Sequence, residues 1–148
     1  MISPELLHRY RFFWCMDDGQ QKAVAMISQE ATVGEGETIC VEKESADHLY
    51  FLVEGSVELS VTPGERRLAV GDVAPGEPFG MCALLHDQTH TYTAQASKPS
   101  RVVTIDASEL RNLCVSDCSL GMCLMQQVAR ASLEETRTTH MQLAAVVA

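Results

Sequence analysis

From Thr32 onward the chain changes its rhythm, and that change constrains the fold more than any other feature. Short runs of β-favouring residues, Thr38 to Val41, His48 to Val53, Val57 to Val61 and Leu68 to Val70, are separated by Glu42 to Asp47, Glu54-Gly55-Ser56 and Thr62-Pro63-Gly64-Glu65. Closely spaced strands punctuated by Gly, Pro and acidic turns predict an all-β sandwich, roll or barrel. Gly71, Pro75, Gly76 and Pro78 are then expected to interrupt pairing, because proline lacks an amide donor and glycine admits unusual backbone angles. Something other than regular sheet is expected over Phe79 to Leu85. Thr91 to Ala96 and Arg101 to Ile105 read as two further strands about a Lys98-Pro99-Ser100 turn.

Helices are expected on both sides of this region. Ser3-Pro4-Glu5 has the order of an N-cap, a first-turn proline and an early acid, and Asp17-Asp18 marks a second start. Between them Phe12, Phe13 and Trp14 read as an aromatic plug packed on the next layer. Asp106, followed three residues later by Glu109, begins a helix in a capping-box-like pattern. A final helix is predicted from Asp117 past Gln142, with Leu120, Leu124, Val128 and Ala131 on the face that packs. Glu134 to His140 interrupts that stripe and argues against a long coiled coil, while Met141 to Ala148 resumes as an apolar contact surface. The fold class is therefore mainly β, a sandwich, roll or barrel with N-terminal helices and a long C-terminal helix. One domain over 1–148 is expected, with helices in 1–31, the roll in 32–105 and helices in 106–148.

Composition narrows the partners. Acidic residues outnumber basic ones 20 to 11, and the net charge of -9 repels a phosphate backbone, so direct nucleic-acid binding is not expected. Charged residues at Glu5, Arg9, Arg11, Asp17 and Asp18 precede any apolar stretch, which is the wrong order for a secretory signal. Apolar runs such as Tyr50 to Val53 fall far short of a membrane span, so a cytoplasmic location without membrane contact is expected. The six cysteines are expected to be reduced and mostly buried; Cys114, Cys118 and Cys123 lack the tight pairs of a structural zinc site.

The stretch Gly34-Glu35-Gly36-Glu37-Thr38-Ile39, followed by Ala46-Asp47-His48-Leu49-Tyr50-Phe51-Leu52-Val53-Glu54-Gly55-Ser56-Val57-Glu58-Leu59, resembles the opening strands of cyclic-nucleotide-binding domains. Val73-Ala74-Pro75-Gly76-Glu77-Pro78-Phe79-Gly80 is similar to that family's lead-in to its phosphate-binding cassette. Ala83-Leu84-Leu85 is similar to the short cassette helix, and Thr93-Ala94-Gln95-Ala96 to the strand after it. The resemblance implies an antiparallel, jelly-roll-like β-roll and, within it, a cassette over 79–96 in which backbone amides at a helix start face an anion. It also implies a glutamate just after the Phe-Gly pair, for a ribose hydroxyl, and an arginine for the phosphate. Met81 stands at the first position, and His90 at or beside the second.

These departures decide the expected function. A thioether in place of a carboxylate removes a charge-assisted hydrogen bond of about 1.5 to 3 kcal/mol, and the missing arginine removes bidentate pairing. A regulatory or sensor domain that does not bind cAMP or cGMP in the usual way is the expectation. Its candidate site is Phe79, Gly80, Met81, Cys82, Ala83, His90 and Thr91, with no catalytic residue, metal or cofactor. Three readings of the cassette stay open. Met81 and apolar neighbours fill the pocket and the roll acts through protein partners. Alternatively, the pocket takes another small anion or nucleotide, using amides near Gly80, hydroxyls of Thr89, Thr91 or Thr93, and a protonatable His90. The third is a metal or redox sensor, since Cys82, His86 and His90 would share one face of a continuous helix. An enzymatic alternative, a cupin-like metal-dependent oxygenase or isomerase, lacks its His-x-His pair: His48 stands alone and His90-Thr91-Tyr92 has no second histidine. A homodimer through the last helix is expected, as is output through another polypeptide or through that dimer.

Overall fold

The computed structural model describes residues 1–148. Helix α1 spans Pro4–His8, where the Ser3 hydroxyl accepts from the Glu5 amide, and α2 spans Asp18–Met26, where Asp17 and Gln20 form a reciprocal capping box. A 3-10 turn at Arg11–Phe13 lies between them. The strands follow as β1 Ser28–Val33, β2 Thr38–Cys40, β3 His48–Glu54, β4 Val57–Val61, β5 Leu68–Val73, β6 Pro78–Phe79, β7 Thr93–Ala96 and β8 Ser100–Asp106. Helices α3, Ala107–Ser116, and α4, Cys118–Val147, close the chain. All pairing is antiparallel, in two four-stranded sheets ordered β1-β8-β3-β6 and β2-β7-β4-β5.

Strand β3 explains why helices flank the roll. Leu49 to Val53 are buried without a break, so both faces of this strand are covered. Period-two alternation divides them between two cores. Tyr50 and Leu52 point into the roll with Val57, Leu59, Phe79, Ala94 and Val102. Leu49, Phe51 and Val53 face outward and join Leu7, Phe13, Val24, Leu110, Leu120 and Leu124 under the helices. Phe51 is the hinge of this outer core, with the rings of Tyr10 at 4.8 Å and Phe13 at 5.1 Å.

Several expectations need correction. Helix does not extend to residue 31: β1 begins at Ser28 and pairs with β8 from Ser28↔Ile105 to Val33↔Ser100. Only the ends of β1 are buried, so the alternation that announces a strand is missing. Gly71 does not end β5, which continues to Val73 and takes up a register shift opposite Leu59 and Ser60. Pro78 also joins a strand, on the edge beside β3, where its missing amide costs no ladder bond. Trp14 is not part of the plug: it is exposed, with its indole N–H donating to the His8 carbonyl at 3.0 Å. Helix α4, by contrast, has the expected extent: capped by Asp117, it runs past Gln142, and everything from Thr136 onward is exposed, so its packing stripe ends where Glu134 to His140 interrupts it. Finally, the cysteines are not all reduced. Cys15 and Cys123 form a disulfide with Cα atoms 5.7 Å apart, tying the turn after Phe13 to the second turn of α4. A separation of 108 residues hid this pair from any local reading.

Candidate functional site

The cassette is built where β6 stops. Gly80 adopts the left-handed conformation (φ +70°) and aims the chain into a 3-10 turn, Met81–Leu84. Its amide, the donor that an anion would need, is already satisfied: it donates to the Tyr92 hydroxyl at 2.7 Å. Burial raises the Tyr92 phenol far above its ordinary range, so it remains a neutral hydroxyl. Nothing local in the sequence links Tyr92 to Gly80, so Tyr92 carries no signal as a site residue there.

The other candidate residues divide sharply. Phe79 is fully buried and stacks on Tyr50 with ring centres 5.1 Å apart. Met81 is buried, with its sulfur 3.9 Å from the Ser132 hydroxyl of α4, and Ala83 is buried with its carbonyl accepting from Arg111 at 2.6 Å. Cys82 is half-buried and Thr91 exposed. His90 is buried, its Nδ1 has no partner, and burial lowers its pKa, so it favours the neutral ring and does not replace an arginine's charge. The Thr93 hydroxyl is occupied in accepting from the Glu42 amide at 3.1 Å.

Cys82, His86 and His90 do not line up as metal ligands. The helical turn ends at Leu84, Asp87 reverses the chain at φ +56°, and the exposed His86 instead meets Asp87 at 3.4 Å while His90 turns inward. No group of three or more His, Cys, Asp or Glu is placed to hold a metal ion.

Two cavities lie between the roll and α4. The first, of about 300 Å³, is bounded by β4, β5 and the outer turns of α4; its titratable lining consists of Asp72, Glu77, Tyr92, Glu134 and Glu135. Neither lysine nor arginine lines it. The second, of about 270 Å³, sits between the cassette turn and α4 and is mostly apolar, with Met81, Cys82, Met125 and Val128 in its wall. Tyr92 and Glu135 border both. Burial, reinforced by the Glu77 charge, pushes the Glu135 carboxyl from 4.5 up to about 7.

That carboxyl makes the α4 seam pH-sensitive. A carboxyl with a raised folded pKa favours the fold while protonated, and the advantage is lost as pH rises from about 4.5 through about 7. Glu135→Gln is therefore expected to unfold later than the parent at pH 8, by about 1 to 2 kcal/mol once partial solvent screening is allowed for, with most of the gap gone at pH 5. Chemical denaturation at both pH values reads the difference, and equal gaps would remove Glu135 as its cause.

With this geometry in place, the comparisons identify the family. The model of the cyclic nucleotide-binding domain matches residues 31–117. A crystal structure from Geobacter metallireducens, described as a cyclic-nucleotide-binding protein, is 40% identical, with a TM-score of 0.83 over 92% of this chain and 99% of that one. A protein of Rhodopseudomonas palustris named as a potassium channel is 25% identical over 130 residues, 86% of this chain and 31% of its own. The cAMP-dependent protein kinase regulatory subunit of Dictyostelium discoideum is 25% identical over 117 residues, 76% and 36% respectively. The chain belongs to the cyclic-nucleotide-binding domain family, which sets aside the cupin-like alternative. It spans about a third of the length of these last two relatives. No helix is long and apolar enough to cross a membrane.

Proposed function

We infer that the chain is a non-catalytic regulatory domain whose roll no longer captures a 3′,5′-cyclic nucleotide in the family's usual manner and whose output passes through α4. One observation carries this reading: the cavity facing α4 is acidic and free of lysine and arginine, while the Gly80 amide is spent on Tyr92. A cyclic phosphate entering there would lose water without gaining a cation or the Gly80 amide. Buried Met81 and Phe79 support a filled cassette rather than an open one.

The output surface in this reading is the outer face of α4, where Met122, Leu133, Leu143 and Val147 are exposed on the side opposite buried Leu120 and Leu124. A second copy of the chain is the partner that a long self-complementary helix face suits. Titration calorimetry with cAMP and cGMP is expected to give no saturable heat below about 1 mM, an affinity weaker than about -4 kcal/mol. Light scattering on the same samples is expected to return a dimer mass. Stoichiometric micromolar uptake would overturn the ligand reading, and a monomer mass at all concentrations would overturn the dimer.

A further inference from the structure

We propose that Cys15 is a thiol-exchange site, served by a surface groove suited to a peptide thiol that carries both free carboxylates and an ammonium. The two sulfurs of the disulfide are unequal. Cys123 lies in the outer core and is 5% exposed, whereas Cys15 is exposed at the surface. An attacking thiolate therefore reaches only one of them.

Cys15 opens onto a groove of about 460 Å³ between the N-terminal turn, the Gly76-Glu77-Pro78 turn and α4. Arg11, Trp14, Glu77, Arg130 and Glu134 share its wall. Arg11 and Arg130 make no ion pair within the chain, so both guanidiniums are free for carboxylates, while Glu77 lies within the same groove for an ammonium and Glu134 is held by Arg137 at 3.2 Å. Gln127 places its amide 3.9 Å from the Cys15 sulfur, on the groove side. An isolated surface cysteine would have none of these neighbours arranged about it.

The exchange is balanced as follows. A reagent thiolate attacks Cys15 Sγ, a new S–S bond joins the reagent to Cys15, and the Cys15–Cys123 bond breaks with its electron pair passing to Cys123 Sγ, which takes a proton from water. A second thiol attacking the reagent's own sulfur releases Cys15 as a thiolate and yields the reagent disulfide. Two reagent thiols are oxidised and the protein disulfide gains two electrons. The first step alone unties α4 from the N-terminal turn and leaves a charged adduct in the groove.

The test uses the oxidised full-length chain with its free thiols first blocked by iodoacetamide, then treated with reduced glutathione or with a glutathione ester lacking both carboxylates. Rates are compared per thiolate. Peptide mass spectrometry is expected to place the adduct on Cys15 and the second alkylation on Cys123, with glutathione about three- to tenfold faster than the ester, as exposed ion pairs allow. The double variant Arg11→Gln/Arg130→Gln, altered only at exposed positions, is expected to bring the two rates together. An adduct on Cys123, equal rates in the parent, or a preference unchanged in the double variant would each overturn the proposal. So would failure to react under conditions that reduce the urea-unfolded chain.

Discussion

Breaking the Cys15–Cys123 tie is expected to lower the thermal midpoint of the chain by about 6–12 °C, the shift that roughly 3 kcal/mol produces in a domain of this size. The loop it closes holds about a hundred residues, long enough that most of the chain's unfolded freedom is curtailed by one bond. Cys15→Ser is the informative variant, because Cys15 is exposed and the change opens no cavity, whereas altering buried Cys123 would add a packing defect. The loss should also be local. Hydrogen exchange is expected to quicken in the first turns of α4 and in the turn after Phe13, while β3 and β8 at the centre of their sheet stay protected. A reductant added to the parent should reproduce the variant's melt. If the parent melts identically with and without reductant, the tie does not hold α4.

The β-roll was legible because its strands are short runs of β-favouring residues and its turns carry the residues that turns require. His48 to Glu54 and Val57 to Val61 lie within a residue of where β-favouring runs place them. Strand β1 escaped because Gln29 to Thr32 are all exposed, leaving no buried face to write a period-two pattern. Its existence depends on pairing with β8, some seventy residues away. The N-caps at Ser3, Asp17 and Asp106 were legible because capping is a contact across a few residues.

The site divides along the same line. The positions of Gly80, Met81 and His90 in the cassette could be read locally, but their surroundings could not. Tyr92 reaches back across the turn to hold the Gly80 amide, and Glu135 arrives from α4 to meet Glu77. Each of these relations joins segments whose spacing in the chain carries no signal. By residue type alone His90 is protonatable, but burial makes the neutral ring the favoured form; Cys123 by spacing alone is a free thiol, but Cys15 lies beside it in space. Long-range partnership, not residue type, separates what the linear text disclosed from what it withheld.

Gly80→Ala is expected to destabilise the chain by about 2 to 4 kcal/mol, from two causes that a second glycine separates. The first is conformational: at φ +70° a side chain is disfavoured by about 1 kcal/mol. The second is steric, since an added Cβ would lie 2.8 Å from Tyr50 Cδ2, 3.2 Å from Tyr50 Cε2 and 3.3 Å from His90 Cε1. Tyr50 has little room to retreat, being buried and stacked against Phe79, and His90 is buried with both backbone polar groups bonded to the loop at Lys43 and Glu44. Overpacking of this kind adds about 1 to 3 kcal/mol. Gly36 has a comparable angle, φ +85°, but open space around its missing Cβ, so Gly36→Ala should lose only the conformational part. Urea denaturation of the two variants side by side measures the difference directly. A loss at Gly80 no larger than that at Gly36 would mean that Tyr50 and His90 yield freely, and the cassette would then be a soft pocket able to open rather than the filled one described above.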